Sequence, residues 1–141
     1  MYLFQYLVGN TDWSLVTAEG DEFCCHNGKL LQLGNRLYLV PYDFDRTGLV
    51  DASSAKPAPK TRIRKVTQRR YRGYCMDNDA PLADAVALSV TLKPEIMAVM
   101  DPLPDLDGED REKYRRFLEG YFEDAQDPDA LLKEFERSCV G

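Results

Sequence analysis

The chain has 141 residues, 44% of them hydrophobic and 30% charged, with 18 basic against 24 acidic residues and a net charge of −6. That is the size and balance of about one folded domain with a real core, and the negative sum excludes a chain that binds polyanions along its whole length. No apolar run reaches the ~18–20 residues that cross a bilayer, and the apolar start at Met1 to Val8 lacks the basic lead and small-residue cleavage site of a signal peptide.

Tyr2 to Val8 is expected as the last turns of a buried helix, stopped by Gly9-Asn10. With almost no polar face, such a helix needs partners on several sides. Ser14-Leu15-Val16-Thr17 is a short strand candidate, and Asp21-Glu22 a turn. Lys29 to Leu33, Gly34-Asn35 and Arg36 to Val40 predict a β-hairpin, because Gly-Asn is a good two-residue turn. Thr47 to Lys60 carries Gly48, Ser53, Ser54, Pro57 and Pro59 and is expected as loop with little order of its own. Arg62 to Tyr71 fits strand and helix equally.

Asp79 is placed to cap a helix over 80–90 with Pro81 in its first turn, and Pro94 opens a second short helix through Met100. Tyr114, Phe117, Leu118, Tyr121 and Phe122 recur at helical spacing from about Asp110 to Ala125. Asp127-Pro128 then supplies a cap and a first-turn proline for a last helix striped by Leu131, Leu132, Phe135 and Cys139. The order is helix end, small sheet, long loop and helices, which is an α+β pattern.

The cysteines are Cys24, Cys25, Cys75 and Cys139. With no C-x-x-C pair and one histidine, the pattern is not that of a zinc site. Two readings stay open: a disulfide from Cys24 or Cys25 to Cys75, which requires an oxidising compartment, or buried free thiols. As a catalytic pair, only Cys24 would share a strand face with His26, and no third orienting group is evident.

Two acidic turns carry the chemistry: Gly9-Asn10-Thr11-Asp12 after the first helix, and Pro41-Tyr42-Asp43-Phe44-Asp45 after the strand Leu37-Tyr38-Leu39-Val40. Cys24-Cys25-His26-Asn27 lies between them. Phosphoryl transfer asks for positioning and charge neutralisation rather than covalent work. A carboxylate near the acceptor hydroxyl orients it and takes its proton, the role that suits Asp12. Magnesium, a hard cation, takes oxygen ligands such as Asn27 and Asp43, with Asp45 as a second carboxylate if the chain stays extended there.

These motifs resemble the catalytic core of atypical protein-kinase-like families of the HipA and CotH type, which place the catalytic Asp in a G-N-x-D loop. A metal-binding Asn and a Y-D or W-D turn follow it. The run Val40 to Asp45, with Gly48-Leu49-Val50 and Tyr71-Arg72-Gly73-Tyr74-Cys75, also resembles a group of uncharacterised bacterial proteins with a P-Y-D-F-D motif, many carrying export signals. The resemblance covers roughly residues 1–75.

It implies a kinase-like C-terminal lobe, mostly helical with a small antiparallel sheet that carries the metal-site loops. The whole of 1–141 would form a single domain, with a catalytic and activation-segment-like region over 1–75 and a helical region over 76–141. It implies Asp12 as catalytic base, Asn27 and Asp43 as ligands of magnesium or manganese bound with ATP, and Asp45 as a further ligand. The Asp-to-Asn spacing is longer than in typical kinases, so Asn10 is the alternative amide. The glycine-rich phosphate loop, the strand lysine and the helix glutamate of a nucleotide-binding lobe are not in the sequence. The chain alone is therefore expected to bind ATP poorly, and the apolar Tyr2 to Val8 is expected to meet a missing N-lobe or a second copy. The acceptor is unknown, and resemblance to exported proteins points to the periplasm for the parent protein.

The competing class is a non-catalytic interaction module that binds an anionic or protein partner through the basic residues Lys56, Lys60, Arg62, Arg64, Lys65, Arg69, Arg70 and Arg72. Tyr71 and Tyr74 could stack on bases, but the strip is short, flanked by prolines and set in an acidic chain, so nucleic acid is not favoured. The acids Asp101, Asp105, Asp107, Glu109 and Asp110 do not make an EF-hand, because Leu103 stands where the loop before Gly108 needs Asp.

Overall fold

The computed structural model describes residues 1–15, 25–59 and 61–140. Val16 and Thr17 of the first strand candidate, the Asp21-Glu22 turn, Cys24 and Lys60 lie outside them. The elements run α1 (Tyr2–Leu7), β1 (Gly28–Leu33), β2 (Arg36–Pro41), α2 (Ala80–Thr91), α3 (Lys93–Ala98), α4 (Gly108–Asp124) and α5 (Pro128–Ser138). The result is a small α+β unit, mostly helical, with one two-stranded antiparallel sheet among the described residues. No helix is long and apolar enough to cross a membrane among these residues.

Helix α1 has no polar face because it runs through the core. Leu3, Tyr6, Leu7 and Val8 are buried with Tyr71, Leu82 and Val86 of α2, Leu118, Tyr121 and Phe122 of α4, and Leu131 and Phe135 of α5. The Tyr6 ring meets Phe135 edge to face at 4.7 Å, and Tyr71 stacks against Phe135 at 4.4 Å. The apolar residues expected to seek cover outside the chain are thus mostly covered within it; Met1 and Phe4 stay exposed. Burial pushes the Tyr6 and Tyr71 phenols up to about 12.

The C-terminal helices follow local signals. Asp107 accepts the Asp110 N–H at 2.8 Å, and Asp127 accepts the Ala130 N–H at 3.0 Å, ahead of Pro128. Asp79 stands at the N-cap of α2 but makes no side-chain cap bond; Asn78 Oδ1 accepts the Ala80 N–H instead. Arg69, in the stretch that fitted strand and helix equally, is in neither. Its guanidinium lies 3.9 Å over the Phe117 ring and donates to the carbonyls of Leu7 and Phe117. It thereby joins the end of α1 to α4, a partly buried cation held by π-stacking and hydrogen bonds.

A disulfide joins Cys75 to Cys139, so Cys75 does not pair with Cys24 or Cys25, and none of the described cysteines is the free thiol of the other reading. The end of α5 returns beside Tyr74 in a short parallel bridge: Val140 N–H donates to Gly73 O and Cys75 N–H to Val140 O. This brings the two α-carbons to 5.0 Å, within the span a disulfide requires. Such a bond fits an oxidising compartment.

The hairpin forms in the expected register, with Leu33 opposite Arg36 and Leu30 opposite Leu39, and Gly34 takes the positive φ of the turn. It packs little: Leu30, Leu31, Leu33, Leu37, Tyr38 and Val40 are all exposed. Its base sets the spacing of the two acidic turns.

Candidate functional site

The Asp12 loop is built by what ends α1. Gly9 at φ +67 turns the chain, and a Cβ there would lie 2.7 Å from the Phe117 ring. Gly48 closes from the other side: its N–H donates to Gly9 O, and a Cβ on it would meet the Val66 carbonyl at 2.5 Å. Asn10 is almost fully buried; its Oδ1 accepts the Asp12 N–H at 2.9 Å and its carbonyl accepts the Trp13 indole N–H. Through these bonds Asn10 shapes the turn. Its Nδ2 is buried with no partner.

Asn27 reaches the same loop from the hairpin base. Its Nδ2 donates to the Asp12 carbonyl at 2.7 Å, and its own carbonyl accepts the Tyr42 N–H at 3.1 Å. The first bond uses the amide nitrogen and not Oδ1. The Ser14 N–H to His26 carbonyl bond closes the loop between them. Asn27 and Asp43 both sit at positive φ, +54 and +61, a conformation Asn and Asp tolerate better than other side chains. Positions 12, 27 and 43 therefore meet in one region despite their separation in sequence.

The Asp12 carboxylate lies between a histidine and an arginine. His26 Nε2 is 3.1 Å from Oδ1 and Arg46 Nη1 is 3.3 Å from Oδ2. The Arg72 guanidinium donates to the Thr11 carbonyl one residue away, and burial lowers its pKa against the pull of Asp12. Asp43 is exposed, and its carboxyl is raised above the ordinary value by a hydrogen bond with Asp45, then burial, then repulsion from Asp45 and Asp12, against the opposing pull of Arg46. Asp45 comes close although the chain between the two acids is not extended, since Asp43 is left-handed.

Among the described residues, no group of three His, Cys, Asp or Glu side chains gathers closely enough to hold a metal. Asp43 and Asp45 supply a carboxylate pair and Asn27 an amide, a partial set of the kind magnesium completes with phosphate oxygens and water.

His26, Arg46 and Arg72 are the residues that sequence reasoning did not bring to the site. Arg46 carries a signal in its position, directly after an acid pair that calls for a nearby cation. His26 and Arg72 carry none, because their contacts to Asp12 and Thr11 come from the folding of distant segments. No protein-family model, curated protein or solved structure matches the chain.

Proposed function

We propose that this chain is the acceptor-orienting and metal-holding part of a kinase-like phosphotransferase, its fold a C-terminal-lobe type and its nucleotide cradle supplied by another segment or subunit. The observation that carries this is the Asn27 side chain bonded to the Asp12 backbone while Tyr42 is bonded to Asn27. These bonds fasten a carboxylate, an amide and the Asp43–Asp45 pair to one site from three separate segments.

In this reading Asp12 orients the acceptor hydroxyl and takes its proton. Its two oxygens are already aligned by His26 and Arg46, and Arg46, 58% exposed, is the partner an incoming hydroxyl displaces. Asn27 Oδ1, Asp43 and Asp45 would hold magnesium or manganese with ATP. The ion's contribution when bound is neutralisation of phosphate charge. Arg72 stiffens the loop through the Thr11 carbonyl. The disulfide supports an oxidising compartment such as the periplasm.

The test is manganese binding to the chain, followed by water-proton relaxation, with phosphoryl transfer from γ-labelled ATP measured in the parent assembly that supplies the nucleotide cradle. Asp43→Ala is expected to abolish ion binding. Asp12→Asn is expected to keep ion binding and lose transfer by about 10²-fold or more. Undiminished manganese binding by Asp43→Ala would overturn the proposal.

A further inference from the structure

A cleft with no residue of the Asp12 loop in its lining lies between the start of α2 and the end of α5. Its volume is about 370 Å³, and its walls include Tyr71, Tyr74, Asp79, Phe135, Glu136 and the Cys75–Cys139 disulfide. That volume is at the lower end of the roughly 300–1,000 Å³ of small-molecule sites. The two walls are fastened together. Val140 N–H donates to Gly73 O at 2.9 Å, Cys75 N–H donates to Val140 O at 3.2 Å, and the disulfide closes the same corner. A site fixed in this way loses little freedom when it takes a ligand.

Parts of the lining call for a partner. The Tyr71 hydroxyl is buried with no hydrogen-bond partner among the described residues, an uncommon state for a polar group inside a fold. Burial first, then Tyr2, then the charge of Asp79 push this phenol up, so the Asp79 carboxylate is within electrostatic reach of it. Asp79 is not spent on its own helix, because Asn78 makes the cap bond at the start of α2. Neither Asp79 nor Glu136 is in an ion pair among the described residues, so both carboxylates are available.

The chemistry of the occupant follows from this lining. It holds two carboxylates and no lysine, arginine or histidine. Arg72, next in the chain to Tyr71, is bonded to the Thr11 carbonyl instead. An anion would be repelled there, and a neutral ligand would cover two acids without a charge partner. A hard metal ion wants oxygen on several sides, whereas Tyr74, Met76, Leu82 and Phe135 present carbon. An organic cation suits both parts, since aromatic rings attract it as well. A primary ammonium has three N–H donors for the two carboxylates and the orphan hydroxyl.

We propose that this cleft binds a small organic primary ammonium ion, whose N–H groups donate to Asp79, Glu136 and the Tyr71 hydroxyl while its alkyl part lies against Tyr74, Met76 and Leu82. The proposal is independent of the phosphotransferase reading. Its probe is butylammonium, set against 1-butanol of nearly the same shape, in titrations of the full chain followed by the methyl signal of Met76. Butylammonium is expected to bind at least about tenfold more tightly than the alcohol. The Asp79→Asn and Glu136→Gln double variant is expected to lose that preference. Asp105→Asn with Glu123→Gln removes two exposed acids outside the cleft and is expected to keep it. Tyr71→Phe retains the ring and is expected to weaken butylammonium about threefold or more.

Circular dichroism melting checks that the double variant folds; should it not, Glu136→Gln alone, at an exposed position, gives the same reading in smaller measure. Equal affinity for the amine and the alcohol would overturn the proposal. So would an equal loss in the Asp105 and Glu123 variant, which would trace the preference to the overall charge of −6. Tighter binding of tetramethylammonium than of butylammonium would overturn the hydrogen-bonded assignment, and tighter binding of a short lysine peptide would overturn a free small molecule as the occupant.

Discussion

The helices after residue 80 and the irregular stretch from Gly9 to Arg72 are ordered by different physics. In α4 and α5 the apolar residues repeat at helical spacing, caps close the ends, and Tyr121 and Phe135 bury almost completely. The earlier stretch buries polar groups instead: Asn10, Thr11, Asn27, Thr47 and Thr61 are all inside. Buried polar groups cost free energy unless each finds a hydrogen-bond partner, so this part is held by bonds between residues far apart in sequence. The comparison teaches that periodic sequence builds a stable support, and a bonded polar loop on that support aims side chains. The two are joined by Arg69, by α1 and by the disulfide.

The largest expected effect comes from cutting that last link. A disulfide spanning 64 residues restrains the unfolded chain by about 4 kcal/mol on the chain-entropy account. The Cys75→Ser and Cys139→Ser double variant should therefore show a lowered urea midpoint, and an unchanged midpoint would show that the helices dock without it. Next is Asn27→Ala, which removes the bond to Asp12 and puts a less tolerant residue at φ +54. It should cost about 2 kcal/mol. Asn27→Gly restores the backbone freedom alone and should recover about half, measured by the same unfolding.

Tyr71→Phe should act in the opposite direction. The hydroxyl is buried without a partner, and its removal is expected to raise stability by about 1 kcal/mol, read as a higher melting temperature. The smallest effect is at Asp43, whose raised carboxyl favours the protonated form in the fold. That contribution is fully present below the unfolded value of 3.8 and is lost as pH rises through the raised folded value. At neutral pH the ionised group works against folding, so Asp43→Asn should melt slightly higher than the parent there and equally below pH 3.8. A lower melting point at neutral pH would show that Asp43 is paired rather than crowded.

Much of the support was legible in the sequence. The Tyr114-to-Phe122 repeat, the Asp127-Pro128 start and the Gly34-Asn35 turn each depend on neighbours within a few residues, and each appears close to its expected place. Arg62 to Tyr71 was not legible, because its order comes from burial of Val66 and Tyr71 and from Arg69 reaching α1 and α4. The cysteine pairing was hidden for the same reason: it follows from the return of α5 to Tyr74. At the site, the sequence indicated which short polar turns to watch. The pairing of Asp12 with His26 and Arg46 belongs to tertiary structure, and no local spacing encodes it.

The bond between Cys75 and Cys139 also makes a closed covalent ring of everything between them, including α2, α3, α4 and the body of α5. A protease that nicks the exposed turn around Leu103 and Pro104 would leave both pieces on one molecule. The cut protein would run as a single species on a gel until a reductant separated its fragments.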